Sequence, residues 1–93
     1  MRPEEINKLN QVIEKINAFI TQLSDPEMRQ SLDNDTKILS LGFLDSFNIL
    51  EIITFIEEEF GVKVNGDLIT LERFNSINLI ASLVKELKEM EIK

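Results

Sequence analysis

The chain has no cysteine and no histidine. Without cysteine there is no disulfide framework and no thiolate metal site. Without histidine, Ser-His-Asp and Cys-His nucleophilic systems are excluded, as are histidine-based metal centres. Any catalysis would rest on carboxylates, lysines and hydroxyls. No apolar run approaches the roughly 20 residues that span a bilayer, and the N-terminus lacks the apolar core of a signal peptide. The expected setting is the cytoplasm, without stable membrane insertion.

What is present is a short, acidic chain. Ninety-three residues with 43% hydrophobic and 29% charged content read as one folded domain over residues 1–93. A chain of this size buries roughly 60–70% of its unfolded surface, enough for a small core but not for a deep cleft. The net charge of −7 is unevenly placed. Residues 43–72 hold Asp45, Glu51, Glu57, Glu58, Glu59, Asp67 and Glu72 against Lys63 alone, a net of −6. Such a field repels nucleic acid and anionic lipid and steers basic surfaces inward.

Apolar spacing predicts the elements. Ile6, Leu9, Ile13, Ile16, Ile20 and Leu23 recur every three or four residues, which predicts a helix over 4–23. Val12 and Phe19 widen its stripe. Pro3 suits the first-turn position, with Glu4 and Glu5 near the positive helix end. Asp25 and Pro26 predict a short helical turn over 26–32. A loop then runs to residue 45, pinned to the core by Ile38, Leu39, Leu41, Phe43 and Leu44. Its Asp33 and Asp35 hint at a calcium loop, but Lys37 and Leu44 occupy positions that need oxygen ligands.

A second helix is expected over 46–60, with Ile49, Leu50, Ile53, Ile56 and Phe60 as its apolar stripe and Gly61 in the left-handed conformation that ends it. An extended link with a turn at Asn65-Gly66 follows. Asp67 is expected to cap a short helix over 68–73. Ser76 is expected to cap a last helix carrying Ile77, Ile80, Leu83, Val84 and Leu87. The expected fold is all-α, a small four-helix bundle of three main helices plus one short helix, with a long first loop.

The candidate chemistry centres on Asp45-Ser46 at the start of the second helix. Either side chain can accept from the free N–H groups of the first turn. As a nucleophile Ser46 has no base, because histidine is absent and no lysine stands at a Ser-x-x-Lys spacing. The same position suits an anion, since a helix N-terminus favours negative charge. Glu57, Glu58 and Glu59 are consecutive and fan around the helix, so they do not converge on one reacting atom. Glu51 and Glu58, two turns apart on nearly one face, suit recognition better than catalysis. The reading from residues alone leaves an acidic helical interaction module without cofactor as the alternative to a modified serine.

The stretch "LGFLDSFNILEIITFIEEEFGVKV", residues 41–64, resembles the acyl carrier protein family. The family hallmark is Asp-Ser-Leu at the start of the second helix, then an amphipathic helix with a Glu-rich end, then Phe-Gly and a β-branched pair. Here it reads Asp45-Ser46-Phe47, and the match continues through Leu50, Glu51, Ile56, Glu57, Glu58, Glu59, Phe60 and Gly61. The resemblance covers essentially the whole chain. It implies a carrier that is not an enzyme, with 4′-phosphopantetheine attached to Ser46 by a phosphopantetheinyl transferase. It implies acyl or aminoacyl cargo held as a thioester, as in fatty acid biosynthesis, and a monomeric shuttle between enzymes with basic docking patches.

Carried over by position, the docking residues are Asp45, Phe47, Asn48, Glu51, Thr54, Glu57 and Glu58. Three departures point away from the fatty-acid type: Phe47 for the usual leucine, Asn48 where an acid is common, and Thr54 where a larger apolar residue is common. The aromatic after the serine, preceded by Gly42-Phe43-Leu44-Asp45, resembles D-alanyl carrier proteins. The alternative is therefore a D-alanyl or other aminoacyl carrier of a cell-envelope or specialised pathway. If such a carrier shelters its cargo, Phe55, Ile69, Leu71 and Ile80 are the expected lining.

Overall fold

The structure, a computed structural model, describes residues 3–91. Its four helices are α1 (Pro3–Leu23), α2 (Ser46–Phe60), α3 (Leu71–Phe74) and α4 (Ile77–Glu91). This is the expected all-α bundle of three main helices and one short one, with the long loop between α1 and α2. No helix among the described residues is long and apolar enough to cross a membrane.

α1 begins with Pro3 and buries Ile16 and Ile20, with Leu9, Ile13 and Leu23 partly covered. It stops where Ser24 folds back, its N–H and hydroxyl both donating to the Ile20 carbonyl (3.0 and 2.8 Å). The Arg29 guanidinium donates to the carbonyls of Thr21 (2.8 Å) and Gln22 (3.4 Å), so a cation satisfies acceptors that every helix end leaves open. The turn expected over 26–32 is reduced to a 3-10 turn at Arg29–Ser31. Asp33 spends its carboxylate on the Asp35 N–H and the Thr36 hydroxyl, ordinary turn bonding for an aspartate.

The long loop is held by Asn75, between α3 and α4, with Asn78 of α4 and Asn17 of α1. Asn75 accepts from the Ile38 N–H through its backbone carbonyl (2.8 Å) and from the Leu39 and Ser40 N–H groups through Oδ1 (3.0 and 3.1 Å). Its Nδ2 donates to the Ser40 hydroxyl (2.9 Å). Asn78 donates to the Asn34 carbonyl and to Asp35, and Asn17 of α1 donates to the Asn34 side chain. Ile38 and Leu44 are buried in the core, whereas Leu41, expected to help pin the loop, is 62% exposed. The left-handed Gly42 (φ +81°) lets the chain turn between Ile38 and Leu44.

α2 matches its expected span, but its buried face is rotated from the expected stripe. Leu50 is 61% exposed, and Ile52 (1%) takes the core position beside Ile56 and Phe60. At 3.6 residues per turn, Leu50 lies about 120° from Ile56, outside a stripe centred on Ile52, Ile53 and Ile56. Gly61 ends α2 in the left-handed region (φ +67°) as expected, and its N–H donates to the Glu57 carbonyl. The extended link then alternates, with Val62 and Val64 buried and Lys63 and Asn65 exposed.

Asp67 does not cap a helix over 68–73. It lies inside a 3-10 turn at Gly66–Leu68. Thr70 adopts the extended backbone a cap needs, accepts from the Arg73 N–H, and starts α3 three residues later than expected. Arg73 pairs with Glu86, which ties α3 to α4. The expected cap of α4 stands, because the Ser76 hydroxyl accepts from the Leu79 N–H (3.1 Å). α4 buries Ile77, Ile80, Ala81, Leu83, Val84 and Leu87. Each of the isoleucine, leucine and valine side chains contributes about 1.5–3 kcal/mol relative to exposure.

The four residues expected to line a sheltered space differ in exposure. Ile80 is in the core, and Phe55 stacks on Phe19 of α1 (ring centroids 4.2 Å apart). Ile69 and Leu71 are exposed.

Candidate functional site

The open question at the start of α2 was which of two side chains caps it. Asp45 does. With φ −119° and ψ −175° it is the extended residue before the helix, and its carboxylate accepts from the Asn48 N–H (3.1 Å). Asn48 returns the bond, its Oδ1 accepting from the Asp45 N–H (3.0 Å). This reciprocal capping box satisfies two otherwise orphaned donors. Asn48 also donates from Nδ2 to Glu51 (3.0 Å), so Asp45, Asn48 and Glu51 are joined in one chain of bonds.

The consequence falls on Ser46. It is the first helical residue, exposed, and among the described residues its hydroxyl has no hydrogen-bond partner. The N–H groups of Ser46 and Phe47 have no acceptor within the helix, because the first turn of any helix lacks one. A phosphate ester at this hydroxyl would therefore meet two free donors and the positive end of a 15-residue helix. The buried Leu44, two residues earlier, anchors the entry to the site.

Beside Ser46 lies an apolar surface. Phe47 is 70% exposed and Leu50 is nearly as open. With Phe19, Thr54, Phe55, Glu51 and Glu58 they line an open groove of about 410 Å³ between α1 and α2. The structure thus brings Phe47, Glu51, Thr54 and Glu58 together along one side of α2. Thr54 turns its hydroxyl back onto the Leu50 carbonyl (3.1 Å), which leaves its methyl group outward.

The acidic residues differ in their surroundings. Glu58 is exposed and has no ion-pair partner among the described residues. Glu59 faces Lys15 of α1 (3.6 Å). Glu57 is half-buried, and its carboxylate accepts from the Val64 N–H (2.9 Å) across the turn after α2. Glu57→Ala is expected to destabilise the fold by about 1–2 kcal/mol, because it strips a part-buried N–H of its acceptor. Glu58→Ala is expected to shift stability by no more than about 0.5 kcal/mol. Urea unfolding of both variants checks the contrast, and equal values would remove the structural role of Glu57.

Two contributors went unrecognised in the sequence. Asn75 organises the loop before the site from 35 residues away, and no local pattern announces that contact. Phe19 forms a wall of the groove, but within α1 it reads only as part of the apolar stripe.

The site is thus an exposed serine at the capped start of an acidic helix in a small helical bundle. The family described as "Phosphopantetheine attachment site" matches residues 16–84, from within α1 to within α4. The chain is also similar to "Probable acyl carrier protein PigG" of Serratia sp. (strain ATCC 39006), with 30% identity over 73 residues, 78% of this chain and 83% of the relative. The chain belongs to the acyl carrier protein family, whose members hold 4′-phosphopantetheine and are carriers without catalysis of their own. Such carriers work with phosphopantetheinyl transferases and biosynthetic enzymes.

Proposed function

We propose that Ser46 is the residue that bears the 4′-phosphopantetheine, and that the chain carries acyl or aminoacyl groups from a loading ligase or synthase to later enzymes. The observation that carries this reading is the division of labour at the start of α2. Asp45 does the capping, so the Ser46 hydroxyl stays exposed and without a partner. When bound, the group supplies a terminal thiol, absent from a chain without cysteine, on which cargo is held as a thioester. Ser46 provides the ester oxygen, and the first-turn N–H groups favour the phosphate charge.

The exposed side of α2 serves as the docking face. Phe47 and Leu50 offer apolar contact beside the attachment point, and Glu51 and Glu58 offer charge to basic enzyme surfaces. Pairing of exposed charges gives orientation and association rate more than affinity, which suits a carrier that must leave each enzyme after delivery. Asp45 and Asn48 act mainly by holding the helix start, and Glu57 by holding the turn at its end. The span of the family match, from α1 to α4, supports one carrier domain. The likeness to a probable acyl carrier protein of Serratia supports acyl cargo, while Phe47 keeps an aminoacyl cargo, D-alanyl included, as the second choice.

The direct test is to treat the purified chain with coenzyme A and a broad-specificity phosphopantetheinyl transferase, then locate the added group by peptide mass spectrometry. The reading requires one phosphopantetheine on Ser46; its appearance on another serine, or on none, overturns it. The docking face has its own test. Glu51→Lys with Glu58→Lys is expected to lower the second-order rate of transfer about three- to tenfold at low salt. The deficit should shrink near about 0.5 M salt, where screening reaches only a few ångströms. An equal deficit at both salt concentrations would argue against an electrostatic role.

A further inference from the structure

A second surface lies far from Ser46, and its charge is opposite to that of α2. The N-terminal half of α1 runs beside the C-terminal half of α4, and a groove of about 650 Å³ opens between them. Its depth is apolar: Val84 and Phe60 are buried, and Leu9 and Val12 are half-covered. Its edges carry Lys8 and Lys15 on the α1 side and Lys85 and Lys88 on the α4 side. Four of the chain's ten cations therefore meet at one place in a protein of net charge −7, with Glu89 as the single acid in the lining among the described residues.

These ammonium groups are available. Lys8 and Lys88 have no ion-pair partner among the described residues. Lys15 faces Glu59 at 3.6 Å and Lys85 faces Glu89 at 3.9 Å, all on side chains 39–64% exposed. Exposed pairs of this kind are weak and exchange readily for a better-placed carboxylate. Lys15 also lies over the Phe60 ring (5.9 Å), which holds its charge at the groove edge. Phe60 ends α2, so the groove is about 21 Å along that helix from Ser46, at 1.5 Å per residue.

We infer that this groove docks an acidic amphipathic helix from a partner protein, independently of the face beside Ser46. The shape selects the occupant class. Two neighbouring helices with a sunken apolar floor form the trough into which a third helix lays its apolar side. Lysines on both edges match acids flanking that side. A flat anionic membrane cannot reach a recessed floor, and the net charge of the whole chain opposes approach to an extended anionic surface. A partner held here leaves Ser46 and the exposed side of α2 beside it free, so a carrier could stay tethered to one protein while serving another. The inference does not depend on which residue bears the cofactor.

The test is a heteronuclear NMR titration of the full chain with a designed helical peptide of about 15 residues. The peptide has leucines at i, i+3, i+4 and i+7 with glutamates on both flanks; its control has lysines in place of the glutamates. Shifts are expected to centre on Leu9, Val12 and Val84, with none for the control. Lys8→Glu with Lys88→Glu is expected to weaken binding about tenfold, and the milder Lys8→Ala with Lys88→Ala about threefold, with unchanged circular dichroism. Shifts centred on residues 47–58, equal binding of the control, or no saturable shift would each overturn the inference. So would self-association in sedimentation, or flotation with phosphatidylglycerol vesicles, where either is lost in the charge-reversed variant. Those results assign the groove to a second copy or to a lipid surface.

Discussion

Ser46→Ala is expected to abolish phosphopantetheine attachment while leaving the fold intact. The chemical half of this expectation is simple: no ester forms without the hydroxyl. The structural half is the stronger test, because it separates an anchor from a cap. A serine that caps a helix costs about 1 kcal/mol when replaced by alanine. Ser46 is already inside α2, and its hydroxyl has no partner among the described residues. Alanine is also a better helix former than serine, by a few tenths of a kcal/mol. Ser46→Ala should therefore match or slightly exceed the wild type in thermal stability. Asp45→Ala should reverse the pattern. It loses the capping box and about 1 kcal/mol, yet it retains the hydroxyl and remains a substrate for modification. Intact mass and thermal unfolding on the two variants read both halves. A destabilised Ser46→Ala protein would restore the capping role to the serine.

Asn75→Ala is expected to lower stability by about 2–3 kcal/mol, the larger of the stability effects predicted for single polar residues here. Three side-chain bonds disappear: those to the Leu39 and Ser40 N–H groups and to the Ser40 hydroxyl. Each neutral bond contributes about 0.5–1.5 kcal/mol, and the part-buried Leu39 N–H would lose its only side-chain acceptor. In a domain of this size that loss lowers the melting temperature by roughly 10–20 °C. Hydrogen exchange should rise first in residues 38–44, the segment that carries buried Ile38 and Leu44 to the start of α2. Asn75→Asp keeps the shared acceptor, and the Ser40 hydroxyl can turn to donate to it, so it should recover most of the stability. A melting temperature within about 3 °C of wild type for Asn75→Ala would show that apolar burial alone pins the loop.

The two variants bracket the architecture. The serine sits at a position that the fold does not need for its own stability. The asparagine sits at a position that the chemistry never touches, yet it holds the loop that leads to the serine's helix. This separation leaves the attachment residue free to be esterified without disturbing the core.

Much of this was legible in the sequence because its causes are local. The apolar spacing of α1 and α4, the cap at Ser76 and the left-handed Gly61 all depend on neighbours within one or two turns. So did the span of α2 and the pairing of acidic residues with an Asp-Ser helix start. The absence of histidine and cysteine bounded the chemistry before any folding was considered.

What the sequence left open needed distant partners. Leu50 and Ile52 are equally apolar, and only the positions of α1 and α4 decide that Ile52 is covered and Leu50 is presented to solvent. Asp67 and Thr70 are both able to cap, and in the folded chain Asp67 lies inside a 3-10 turn while Thr70 accepts from the Arg73 N–H and starts α3. Glu57 and Glu58 are identical side chains one residue apart. The return of the link at Val64 engages the first and leaves the second open. The lysines of α1 and α4 are some 70 residues apart in the chain and converge only because the two helices pack together. Local spacing determines which elements form and where their faces lie, since it needs only the helix repeat. Which equivalent residue is buried, bonded or exposed is decided by contacts between elements, and those arise only when the chain has closed on itself.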